Sequence, residues 1–213
     1  MAPIHEIVVI VGQGCDPTEF GWDEWKSEWR AAASAASVSF WFPPKNAAGE
    51  MVWHPYTPPV PYTDYEYERT QRADGYEQHL AVSGAPLFAH LDGLSAAGRS
   101  FAVACFSNGG TLGFEIACWY SNCKALLLAA TSPVTAQQNR GRQLKCPAAF
   151  YHGVHDWKYF GGHEAIRAVA HWMRLPFLRY NGGHSNTDSR KCLRAIKALL
   201  DGEATETLAD AIW

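Results

Sequence analysis

The sequence predicts an α/β protein with a mostly parallel central sheet and helices on both of its faces. Three observations lead there. Segments of strand character alternate with segments of helix character along the chain. Several strand segments are unbroken apolar runs, as strands covered on both faces require, and lack the alternation of half-exposed ones. The 213 residues, 47% hydrophobic and 18% charged, can fill one large core but not two. A single domain over 1–213 is expected.

The elements follow in order. Ile7 to Val11 is a β-branched run ended by Gly12-Gln-Gly14, a buried strand and its turn. Asp16-Pro17 or Thr18 can cap a helix in which Trp22, Trp25 and Trp29 recur at spacings of three and four and which runs on to Ala36. Val38 to Phe42 reads as a strand, stopped by Pro43-Pro44 because proline cannot donate to a sheet ladder. From Ala47 to about Glu68 the chain is dense in Pro, Tyr and Trp without a helical or strand period, which reads as an extended excursion. A helix is expected from about Arg72 to Leu94, then a strand at Phe101–Phe106 and a helix from about Asn108 to Tyr120. Ala125–Ala130 and Ala148–Tyr151 are further buried strands. Ile166, Val169, Ala170 and Met173 form one face of a helix over Gly162–Arg174. Phe177–Tyr180 is the last strand, and the closing helix turns Leu193, Ile196, Leu199 and Leu200 inward with Gly202 as C-cap.

Composition narrows the function. A formal charge of −3 and the lack of any Lys/Arg run argue against a nucleic-acid partner. The apolar run at Ile7–Val11 is far shorter than the roughly 20 residues that span a bilayer, and no basic segment precedes it. No membrane association is expected, and the cytoplasm is the expected location. The six cysteines have no C-x-x-C spacing, so reduced, mostly buried thiols are the expectation. The histidines lack H-E-x-x-H or similar spacing, so no metal and no cofactor is expected.

The stretch with most chemical content is Cys105-Phe-Ser107-Asn-Gly109, at the junction of a buried strand and a helix. A serine on such a strained turn has its hydroxyl lifted above the sheet, and small residues two positions either side let the backbone close. Serine is also a favoured helix N-cap, so the turn by itself leaves both roles open. Cys105 is a poor rival nucleophile because it falls inside the strand. A serine nucleophile needs a base from another loop at the same end of the sheet. His184, after the last strand on the glycine-flanked loop Tyr180-Asn-Gly-Gly-His184, is so placed. The third group must be a carboxylate that holds the imidazole tautomer. Asp156 follows strand Ala148–Tyr151 within His152-Gly-Val-His-Asp156 and rises at the carboxyl end of the sheet, where open α/β sheets bind ligands. His152 and His155 are alternative bases but read as strand-end and turn residues.

The order Ser107, Asp156, His184, the turn Cys105–Gly109, the segment Pro147–Asp156 and Gly182-Gly-His184 resemble the α/β-hydrolase superfamily, most closely its small carboxylesterase and dienelactone-hydrolase-like members. The resemblance runs from Ile7 to about Leu200. It implies the α/β-hydrolase fold and ester hydrolysis through an acyl-enzyme at Ser107. Val11-Gly12-Gln13-Gly14 looks like the family's oxyanion loop, with Val11 where a histidine is usual, which implies backbone N–H donors at Gln13 and Asn108. Trp53, Tyr56 and Trp157 are candidates for the pocket wall, and the excursion over 47–68 for a lid. A small ester or thioester is the expected partner. Thioesterase or other acyl-hydrolase activity is the alternative within the class. Outside it stands a catalytically inactive binding or assembly subunit, for which nine tryptophans would supply interface anchors. Homo-oligomerisation is left open.

Overall fold

The computed structural model describes residues 3–12, 14–19, 21–33, 35–53, 76–131, 143–156, 162–184 and 188–203. Its elements, in chain order, are β1 (Glu6–Ile10), α1 (Trp22–Ala33), β2 (Ser37–Trp41), α2 (Tyr76–Ser83), α3 (Ala85–Ala96), β3 (Phe101–Phe106), α4 (Gly109–Trp119), β4 (Cys123–Ala129), β5 (Ala148–Gly153), α5 (Gly162–Trp172), β6 (Phe177–Tyr180) and α6 (Ser189–Asp201). The described strands form one sheet in the order β2-β1-β3-β4-β5-β6. Every pairing is parallel.

The apolar runs explain the sheet. All residues of β1, β3 and β5 are buried, and successive side chains supply opposite cores. Val8, Ile10, Val103, Leu126, Leu128 and Phe150 pack with α2, α3, α4 and α5. Ile7, Val9, Ala102, Ala104, Leu127 and Tyr151 pack with α1 and α6. In α1, Trp22 and Trp29 are buried and Trp25 packs edge-on against Trp22, Trp29 and Phe106, so the expected aromatic stripe faces inward. In α6, Ile196 and Leu199 are buried, and Leu193 and Leu200 pack against the same core. Gly202 takes φ +74° at its C-terminus, where a side chain would be strained.

The first helix ends at Ala33 and not at Ala36, β1 and β4 lie one or two residues earlier than expected, and three other differences from the sequence expectation have a local cause. The first helix starts at Trp22, since the Asp16 carboxylate is taken by the Thr18 N–H and hydroxyl in a local turn that competes with capping. The helix expected over 72–94 is two helices where it is described, α2 and α3. Gly84 separates them, and Pro86 sits in the first turn of the second, where its missing N–H costs nothing. Gly84 also lies against α4: a Cβ there would fall 2.7 Å from the Leu80 carbonyl and 3.2 Å from Leu112. The described start of the 47–68 excursion is a tight hairpin, with a bridge between Lys45 and Met51 and hydrogen bonds between Asn46 and Glu50 and between Val52 and Pro44. Residues 54–68 of that excursion lie outside the described residues. Among the described residues, no helix is long and apolar enough to cross a membrane.

The strand order sets the location of any site. From β1 the chain runs outward to β2, then returns to place β3 on the other side of β1. Loops after β1 and β3 therefore diverge and leave a crevice at the carboxyl ends of these strands. Gly12 and Ser107 lie there.

Candidate active site

Ser107 follows β3 directly and has φ +50°, a left-handed conformation that non-glycine residues adopt at a cost of about 1 kcal/mol or more. The strain is held by packing. Gly12 faces the serine so closely that a Cβ on it would lie 2.9 Å from Ser107 Cβ, and a Cβ on Gly109 would lie 2.9 Å from the Val11 carbonyl. The Ser107 N–H donates to the Ala129 carbonyl of β4 at 3.0 Å. Asn108, not Ser107, is the N-cap residue of α4, so helix capping does not account for the serine.

The residue two positions before Ser107 is Cys105, fully buried in β3. Its bulk is accommodated one turn into α4, where Gly113 leaves the space: a Cβ there would sit 2.7 Å from Cys105 Sγ. The thiol donates to the Leu127 carbonyl at 3.2 Å, and burial pushes it far above the usual thiol range. Cys105 therefore stays protonated and enclosed, without the thiolate that nucleophilic attack needs.

His184 reaches Ser107 from the loop after β6, and Asp156 reaches His184 from the loop after β5. His184 Nε2 is 3.2 Å from Ser107 Oγ, and His184 Nδ1 is 2.7 Å from Asp156 Oδ2. With the proton on Nδ1, His184 donates to the carboxylate and presents its Nε2 lone pair to the hydroxyl. The two loops are joined by backbone hydrogen bonds, Val154 N–H to Tyr180 O and His155 N–H to Gly182 O, both 3.0 Å. The Tyr180 hydroxyl donates to the Gly183 carbonyl at 2.9 Å. Gly153 permits this approach, because a Cβ there would lie 2.3 Å from the Gly182 oxygen. Asp156 is 1% exposed, and the His184 side chain is 19% exposed. A buried carboxylate beside a partly open imidazole can stabilise positive charge on that ring while leaving it within reach of a substrate.

The other histidines of the segment are placed differently. His155 is exposed. His152 is fully buried, with Nδ1 3.3 Å from the Gly153 carbonyl and Nε2 3.3 Å from Asp156 Oδ2, but Nε2 is not aligned for a hydrogen bond. Burial holds His152 below its ordinary pKa, against the pull of Asp156, so it is neutral near pH 7.

The loop after β1 is clamped at both ends. The Val11 N–H donates to Trp41 O at 2.9 Å, and Gly14 N–H to Met51 O at 2.8 Å. The Trp53 indole N–H donates to the Val11 carbonyl at 2.7 Å. Trp53 is 2% exposed, so its ring supports this loop from inside the core. Sequence reasoning placed Trp53 in the pocket wall and missed this role, since nothing in the spacing links position 53 to position 11. Gln13, Tyr56 and Trp157 lie outside the described residues. Among the described residues, no group of three or more His, Cys, Asp and Glu side chains is placed to hold a metal ion.

No protein-family model and no curated protein matches this sequence. Solved structures do resemble it. SOBER1 from Arabidopsis thaliana superposes with a TM-score of 0.61 at 18% identity, over 94% of this chain and 99% of that one. Esterase PE8 gives 0.62 at 16% identity, over 92% and 91%, and the Bacillus cereus carboxylesterase 0.56 at 12% identity, over 99% and 89%. The likeness covers nearly the whole chain in each case, and together with the all-parallel sheet and its element order it establishes that this chain has the α/β-hydrolase fold.

Proposed function

We propose that this protein is a serine hydrolase that cleaves carboxylic esters or thioesters through an acyl-enzyme on Ser107. The observation that carries the reading is the chain of contacts Ser107 Oγ, His184 Nε2, His184 Nδ1, Asp156 Oδ2, at 3.2 and 2.7 Å, on a serine with φ +50°. Esterases among the solved structures of the same fold support it.

In this reading Ser107 Oγ attacks the acyl carbonyl as its proton passes to His184 Nε2, and Asp156 stabilises the imidazolium. His184 then protonates the leaving alcohol or thiol, and an acyl-enzyme forms. Water, deprotonated by the same imidazole, releases the acid and restores the serine. The negative charge that develops on the carbonyl oxygen is met by the backbone N–H of Asn108, at the start of α4, and the resemblance to α/β-hydrolases assigns the second donor to the Gln13 N–H. Donors of this kind each contribute about 3–4 kcal/mol to the transition state.

Fluorophosphonate labelling followed by mass spectrometry tests the reading. An adduct on Ser107 is expected, absent from Ser107→Ala and greatly slowed in His184→Ala. Asp156→Asn should lower kcat by about 10⁴-fold, because the imidazole loses its tautomer. A folded protein that forms no adduct would instead be a binding or assembly subunit built on a hydrolase fold.

A further inference from the structure

Cys123 opens β4, and Cys146 precedes β5 with Pro147 between it and the strand. The two strands are hydrogen-bonded neighbours, with Leu126 opposite Ala148. The cysteines therefore lie side by side where these strands begin, at the end of the sheet opposite Ser107, Asp156 and His184. Their sulfurs are 3.7 Å apart. A disulfide holds its sulfurs at about 2.05 Å, so each has to move by less than about 1 Å.

The surroundings differ on the two sides of the pair. Cys123 is fully buried, whereas Cys146 is half-buried. The hydrogen bond with Cys146, reinforced by burial, holds the Cys123 thiol well above its ordinary pKa. Cys123 thus keeps its proton, and Cys146 is the more exposed of the two.

We propose that Cys123 and Cys146 form a redox-active pair that hydrogen peroxide converts to a disulfide. The Cys146 thiolate attacks one peroxide oxygen. An S–O bond forms, the O–O bond breaks and hydroxide leaves, giving a sulfenic acid. The sulfenic hydroxyl, held against Cys123, takes the Cys123 proton as the Cys123 sulfur attacks the sulfenic sulfur: the S–S bond forms, the S–O bond breaks and water leaves. The hydroxide from the first step takes back the proton that Cys146 gave up on ionising, so two electrons pass from the two thiols to the peroxide, which ends as two waters. The bond closes a loop of about two dozen residues, and this constrains the unfolded chain. The catalytic end of the sheet is untouched, so the pairing is independent of the chemistry proposed at Ser107.

The test treats the full chain with hydrogen peroxide, alkylates remaining thiols under denaturing conditions and maps peptides without reductant. A Cys123–Cys146 cross-linked peptide is expected, in a protein lighter by two hydrogens. Its thermal midpoint should stand about 5–10 °C above that of the reduced protein, and Cys146→Ser should show no such rise. The proposal is overturned if both cysteines are recovered alkylated. Cys146 recovered as sulfinic acid beside alkylated Cys123, or a bridge from either cysteine to another, overturns it equally.

Discussion

The Val11 carbonyl accepts from the Trp53 indole at 2.7 Å, and the next residue, Gly12, lies against Ser107. One buried hydrogen bond thus fixes the peptide that leads into the loop facing Ser107. Trp53→Phe removes the donor, keeps an aromatic ring in the core and leaves the Val11 carbonyl without its indole partner, at a cost of about 1–3 kcal/mol. Acylation by a p-nitrophenyl ester should slow by roughly tenfold with KM little changed, since about 1.4 kcal/mol of transition-state alignment is at stake. Stopped-flow acylation rates, read beside a thermal melt, measure both effects. An unchanged rate in a destabilised protein would make Trp53 a core residue only. At this scale the sequence was informative about Ser107, Asp156 and His184, because each follows a recognisable strand. It singled out Trp53 for a pocket wall and gave no sign of its bond to Val11, 42 positions away.

At the scale of elements, the contact between β3 and α4 is decided by the pair Cys105 and Gly113. The strand carries a thiol where the turn favours a very small residue, and the helix yields space one turn further on. Gly113→Ala alone drives a methyl group into Cys105 Sγ, and the overpacking should destabilise by about 1–3 kcal/mol, offset in part by about 1 kcal/mol of helix propensity. Cys105→Gly alone leaves a void. The double variant exchanges the small and large positions, so a double-mutant cycle from urea unfolding should give a favourable interaction energy of about 1 kcal/mol or more. Additivity would mean that the two positions do not share this space. Element identity was legible because the apolar runs of β1, β3, β4 and β5 have no other way to be buried. Boundaries were less so. The break at Gly84 coincides with Pro86 in the first turn of α3, a local feature that apolar periodicity alone passes over.

For the whole molecule, the sheet binds its stability to pH through His152, which is enclosed between β5, Phe177 and the Asp156 loop. Burial is the largest influence on its pKa and lowers it from the ordinary 6.5, with His184 and His163 adding repulsion and Asp156 and the Gly153 carbonyl opposing. Below 6.5 the unfolded chain binds a proton at this residue that the folded chain refuses. Stability is therefore full above that value and declines as pH falls through the window beneath it. Urea midpoints measured across the window should show this slope, and His152→Phe should flatten it; an unaltered slope would assign the dependence to other groups. Such a coupling arises only from the complete fold. The sequence by itself determined which segments are strands and helices and which residues stand at the carboxyl ends of strands, because hydrophobic burial and turn chemistry act over neighbouring residues. Only the tertiary structure decided that Ser107 meets His184, that Gly113 makes room for Cys105, that Trp53 holds Val11 and that Cys123 touches Cys146. Those contacts join distant parts of the chain, and strand order, register and close packing bring them together.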